Sequence, residues 1–177
     1  MLVNDMCYNW RQQRKMTGGE TVSVLKQKRT TSKAEFINVA YQIHVETLNF
    51  LTRLSARYAR MLQEPVAKLS GEVLDHAEKA NSIFPSPSDP QRISLRKAHL
   101  LEARASLMAL DVRLALCYDV MSQNPEGAFT TSKGKPVSAS DATVKLDKMA
   151  QSLGELIDRE NELLKGAVKA LGQKQKS

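Results

Sequence analysis

Apolar positions recur at spacings of three and four along most of this chain, in four amphipathic stretches. The first carries Phe36, Ala40, Ile43, Thr47, Phe50, Leu54 and Arg57 on one stripe, widened by Val39 and Leu51. Ser32 as N-cap and Glu35 three residues on form a capping box at its start, which predicts a helix of about seven turns ending at Pro65. A second helix, from about Pro65 to Ile83, turns Val66, Leu69, Val73, Ala77 and Ala80 inward. Pro85, Pro87 and Pro90 stop it, because their rings cannot occupy helix interiors. Ser88 or Asp89 then caps a third helix running from about Pro90 to Met121. Its stripe reads Ala98, Leu101, Ala105, Met108, Val112 and Ala115, flanked by Leu107, Leu114 and Leu116. A polar loop over 123–140 leads to a last helix capped by Ser140 or Asp141, with Leu146, Met149, Leu153, Leu156, Leu163 and Ala167 in its stripe. Short first and second connections predict an all-α, antiparallel up-and-down four-helix bundle over 32–171. Residues 1–31 read as a flexible, disordered basic N-terminal tail and 172–177 as a basic C-terminal tail.

Small residues line the seams, including Ala40, Ala77, Ala80, Ala98, Ala105, Ala115 and Ala167. The apolar stripes are wider than one bundle core demands, which predicts a homo-oligomer. Only 5% of residues are aromatic, so Leu, Val, Ile, Ala and Met must build the core. Cys7 and Cys117 form no C-x-x-C pair, which argues against a disulfide or zinc framework. No run reaches the ~18 apolar residues of a membrane span, and no signal-peptide pattern opens the chain, so a cytoplasmic protein away from membranes is predicted.

Charge adds direction. The net value is +7, and its excess is terminal: residues 1–33 hold seven bases against Asp5 and Glu20, and 165–177 hold four bases and no acid. That distribution suits an anionic partner, with nucleic acid the commonest. On the helices, Arg53, Arg57 and Arg60 recur at i, i+4 and i+7 with no acid on their own face. Arg92 and Arg96 stand one turn apart with Lys97 alongside, and Lys165 and Lys169 repeat the spacing near the end. These eight are the candidate nucleic-acid-binding residues, set for contact with phosphates. No aromatic platform is interleaved with them, so base stacking is not indicated. RNA and DNA remain open at this point.

Catalytic patterns are absent. No G-x-S-x-G, P-loop or G-x-G-x-x-G occurs. The Glu-x-x-His repeat of di-iron bundles is missing too, since Glu72 is followed by Asp75 at three and His76 at four. His44, His76 and His99 fall on separate helices, and adjacent Asp75 and His76 point about 100° apart on a helix. No catalytic residue, metal ligand or cofactor is predicted, and the protein reads as a non-enzyme.

Ser32-Lys33-Ala34-Glu35-Phe36, Asp75-His76-Ala77, Ala80-Asn81-Ser82-Ile83-Phe84-Pro85, Arg92, Ile157 and Glu160-Asn161-Glu162-Leu163-Leu164-Lys165-Gly166 form a further pattern. Together they give the segment from Ser32 to about Ala170 a resemblance to the accessory variability determinant proteins of diversity-generating retroelements. The resemblance implies a non-catalytic four-helix bundle that assembles as a basic homopentamer. It also implies binding to the element's reverse transcriptase and template RNA, supporting mutagenic, adenine-directed cDNA synthesis. The competing reading is a nucleic-acid-binding bundle of the ribosomal-RNA intervening-sequence or plasmid-mobilisation type.

Overall fold

The computed structural model describes residues 34–86, 88–129, 135 and 137–174, without the side chains of 127, 173 and 174. The predicted N-terminal tail at 1–31, the Ser32 cap and 175–177 of the predicted C-terminal tail at 172–177 lie outside the described residues, whereas 172–174 of that tail continue the last helix. Four α-helices carry the fold: α1 Glu35–Leu51, α2 Ala56–Ser82, α3 Pro90–Ser122 and α4 Ala139–Lys174, with a 3-10 turn at Pro125–Ala128. No strand occurs among the described residues. Helix α1 packs on α2 and α4, and α3 packs on the same two, so α1 and α3 occupy opposite corners of an antiparallel four-helix bundle.

The first two helices meet earlier than predicted. The chain leaves α1 at Thr52 and re-enters a helix at Ala56, with Ser55 in extended conformation as N-cap of α2. Arg53 and Leu54 donate their backbone N–H groups to the carbonyls of Phe50 and Leu51 (3.0 and 3.2 Å). Leu54 is buried and plugs the turn. Pro65 is not a boundary but sits inside α2. Its ring lies on the exposed face, where water can solvate the carbonyl its missing N–H leaves unbonded. The start of α1 also differs, with Ala34 at the N-cap and no side-chain cap. Glu35 instead reaches across to an ion pair with Arg159 of α4.

Elsewhere local chemistry sets the ends as predicted or nearly so. Asp89 accepts the Arg92 backbone N–H at 3.2 Å, and Pro90 takes the first position of α3. For α4 the cap is Ser138, ahead of both predicted candidates, Ser140 and Asp141. Its hydroxyl accepts the Asp141 N–H at 3.3 Å and donates to the Asp141 carboxylate at 2.7 Å.

The core follows the predicted stripe in α1 through Phe36, Ala40, Ile43, Thr47 and Phe50, and in α2 through Val66, Val73, Ala77 and Ala80. In α3 the faces are exchanged. Ile93, Leu100, Ala103, Leu107, Leu110, Leu114, Cys117 and Met121 are buried, whereas the predicted stripe faces solvent. Leu101 is 44% exposed and Val112 69%. Helix α3 is apolar on two sides, and periodicity alone does not say which side the bundle covers. In α4 a carboxylic acid joins the stripe. Glu160 lies between Ile157 and Leu164 with 0% exposure, and neither of its oxygens has a hydrogen-bond partner.

Candidate nucleic-acid interface

The eight predicted basic residues divide into two groups. Three are engaged within the protein. Arg92 pairs with the Asp89 carboxylate at 3.0 Å, which binds its charge to the α3 cap. Arg96 is half-buried and donates to the Ile83 carbonyl at 2.8 Å, tying the end of α2 to α3; burial pulls its pKa below the ordinary arginine value. Lys165 pairs with Glu162 at 2.6 Å. The Arg92 and Lys165 pairs are exposed and worth about 0–1 kcal/mol each, so their cations are only loosely held.

The other five have no acidic partner among the described residues: Arg53, Arg57, Arg60, Lys97 and Lys169. Arg53, Arg57 and Arg60 do not form one helical face. Arg53 stands in the α1–α2 turn, half-buried, while Arg57 and Arg60 are exposed and one turn apart at the start of α2. The earlier turn does keep all three at the same end of the bundle. Lys97 and Lys169 are exposed on α3 and α4 near the opposite end.

Two residues absent from the predicted set complete the cationic end. Phe129, just after the 3-10 turn, is buried, and the Arg53 guanidinium lies over its ring at 5.0 Å. Lys145 of α4 approaches the same ring at 5.6 Å. The two cations therefore stand within about 11 Å of each other, which attraction to the ring offsets by about 0.5–1 kcal/mol each. The only signal in sequence was Phe129 itself, a lone aromatic in the polar loop. The arrangement presents fixed positive charge at one end of a rigid scaffold, which suits phosphate contact and carries no base-reading element.

The histidines make ordinary bonds: His44 Nδ1 lies 2.8 Å from Ser70 Oγ across α1 and α2, and His76 Nδ1 lies 3.2 Å from His99 Nδ1 across α2 and α3. No group of three or more potential metal ligands forms among the described residues. Cys117 is buried in α3, and burial pushes its thiol pKa up, away from a reactive thiolate. No described helix is long and apolar enough to cross a membrane.

The chain matches no family model, and no solved structure matches it. It is similar to a 1'-carboxy-chondrochloren decarboxylase from Chondromyces crocatus, with 30% identity over 82 residues. That segment is 46% of this chain but spans only 15% of the decarboxylase.

Proposed function

We propose that this protein is a non-catalytic accessory factor that binds a retroelement reverse transcriptase and its template RNA, and supports mutagenic cDNA synthesis. The observation that carries the reading is the cluster of unneutralised cations, Arg53, Arg57, Arg60 and Lys145, at one end of an all-helical bundle. The resemblance of 32–170 to the accessory variability determinants names the polyanion and the polymerase. Self-assembly belongs to the same reading. Tyr41, Val45 and Leu48 form an exposed apolar stripe on α1, and Leu101, Met108 and Val112 form another on α3. These stripes belong to helices at opposite corners, so two unlike surfaces would meet head to tail, the contact that closes rings.

RNA binding will be salt-sensitive, and Arg57→Glu with Arg60→Glu will weaken it about tenfold or more at ~100 mM salt. Losing two phosphate contacts to single-stranded RNA lowers the slope of log K against log salt by about 1.4. Filter binding across a salt series measures both, with circular dichroism confirming intact helix. Unchanged binding by the charge-reversed protein, or no RNA binding by the parent, defeats the reading. Co-purification with the reverse transcriptase tests its other half. Duplex DNA bound in preference to RNA points to the mobilisation-type alternative.

A further inference from the structure

We propose that the bundle end where α1 turns into α2 holds a site for one terminal phosphate group, a monoester dianion. A cavity of about 80 Å³ opens there, with Arg53, Ser55, Tyr58 and Asn124 supplying its polar lining and Val120 and Met121 an apolar wall. At ~30 Å³ per liquid water it has room for two or three waters, or for one tetrahedral oxyanion in their place. Every polar group in the lining can donate a hydrogen bond, and no carboxylate is among them.

The donors are also uncommitted. Arg53 Nε is buried without a hydrogen-bond partner, and its guanidinium meets no acid among the described residues; besides lying over the Phe129 ring, it makes one long side-chain hydrogen bond, from Nη2 to Asn49 Oδ1 at 3.5 Å. An unpaired buried N–H on a charged group is costly, and an anion in the cavity relieves it. Ser55 is the N-cap of α2, yet its hydroxyl makes no capping bond. The first N–H groups of α2 therefore keep their partial positive charge at the same place. The Tyr58 hydroxyl and the Asn124 carboxamide bond no other described residue. Lys145, 5.6 Å from the centre of the Phe129 ring that Arg53 also covers, adds a second positive charge near the cavity.

Size selects the kind of phosphate. A partly open cavity of this volume holds one phosphate group, and a terminal monoester presents three free oxygens to these donors where a backbone diester presents two. The chemistry is that of a nucleic acid's terminal phosphate or of free phosphate. The first source rests on the RNA reading above, and the second does not.

The test compares the full-length protein binding 5'-phosphorylated and 5'-hydroxyl forms of one RNA oligonucleotide, with inorganic phosphate as competitor and as a calorimetric ligand alone. The phosphorylated form will bind about tenfold tighter. Arg53→Gln will abolish that preference, and Tyr58→Phe will cut it severalfold while leaving the melting midpoint in place. Should Arg53→Gln misfold, Asn124→Ala and Tyr58→Phe read the same preference. Equal binding of both RNA forms with no competition by phosphate overturns the site and leaves the RNA reading standing. Calorimetric binding of phosphate lost in Arg53→Gln, with no RNA bound by the parent, upholds the site and removes the RNA reading. A preference that survives Arg53→Gln and Tyr58→Phe also overturns the site.

Discussion

Glu160→Met will stabilise this protein at neutral pH by on the order of 3 kcal/mol and will flatten its stability between pH 4.5 and 8. Glu160 is fully buried, its oxygens have no hydrogen-bond partners, and its pKa is raised from 4.5 to about 8. Burial is the main cause, and the nearby Glu35 carboxylate adds to it. The sign follows from which state holds the proton more tightly. Below about pH 4.5 the carboxyl is neutral in both folded and unfolded chains, and the position carries no charge penalty. As pH rises, the unfolded chain releases its proton first, and the folded state loses relative stability until pH passes about 8. At ~1.4 kcal/mol per pKa unit the loss at pH 7 is several kcal/mol. Methionine fills a similar volume with no charge to desolvate, and such replacements of buried ionisable groups are often stabilising by 1–4 kcal/mol. Urea unfolding at pH 5, 7 and 9 for both proteins measures it. Parallel pH profiles would mean that Glu160 has a partner in solution.

The second large effect concerns α3. On the proposed self-assembly, Leu101→Glu with Val112→Glu will give monomers while preserving the fold, because both side chains face outward. Each apolar side chain removed from an interface forfeits roughly 1.5–3 kcal/mol, and each buried charge adds more, so association weakens at least a thousandfold. Leu107→Ala, one residue before Met108 of the same stripe but with 0% exposure, will instead cost about 2–5 kcal/mol of folding stability. Sedimentation velocity at tens of micromolar separates the outcomes from denaturant unfolding. A parent that sediments as a monomer, or a double variant of unchanged mass, defeats self-association through this face.

These two sites also mark where sequence reading succeeds and where it does not. The stripe of α4 is legible in spacing, and Glu160 falls on it between Ile157 and Leu164. Its burial escaped notice because a carboxylate is presumed to face water, although the periodicity placed it inside. In α3 the periodicity is itself ambiguous. Ile93, Leu100, Leu107 and Leu114 repeat every seven residues, and so do Leu101 and Met108 one position on, so the neighbours decide which side is covered. The α1–α2 turn escaped for the opposite reason: Thr52-Arg53-Leu54-Ser55 contains neither Gly nor Pro, while Pro65 offered a false stop. That misplacement made Arg53, Arg57 and Arg60 look like a single helical row. They share one end of the bundle through the turn itself. Charge pairing is a tertiary property, so sequence could not foresee that Arg96 would be used on the Ile83 carbonyl while Arg53 stays without an acid. Arg53 meets Phe129 across a chain separation that no periodicity spans, and Lys145 reaches the same ring from α4.

The helices differ greatly in length, and this governs how the molecule opens. Helix α1 has 17 residues, roughly 25 Å, against 36 residues and roughly 54 Å for α4. The Glu35–Arg159 pair fixes the level at which α1 begins, so the last fifteen residues of α4 run on past its first turn. Leu164 and Leu171 are the apolar side chains buried in that overhang. Amide protons beyond Arg159 will therefore exchange through a small sub-global unzipping of α4, well before those of its middle, which α1 and α3 brace.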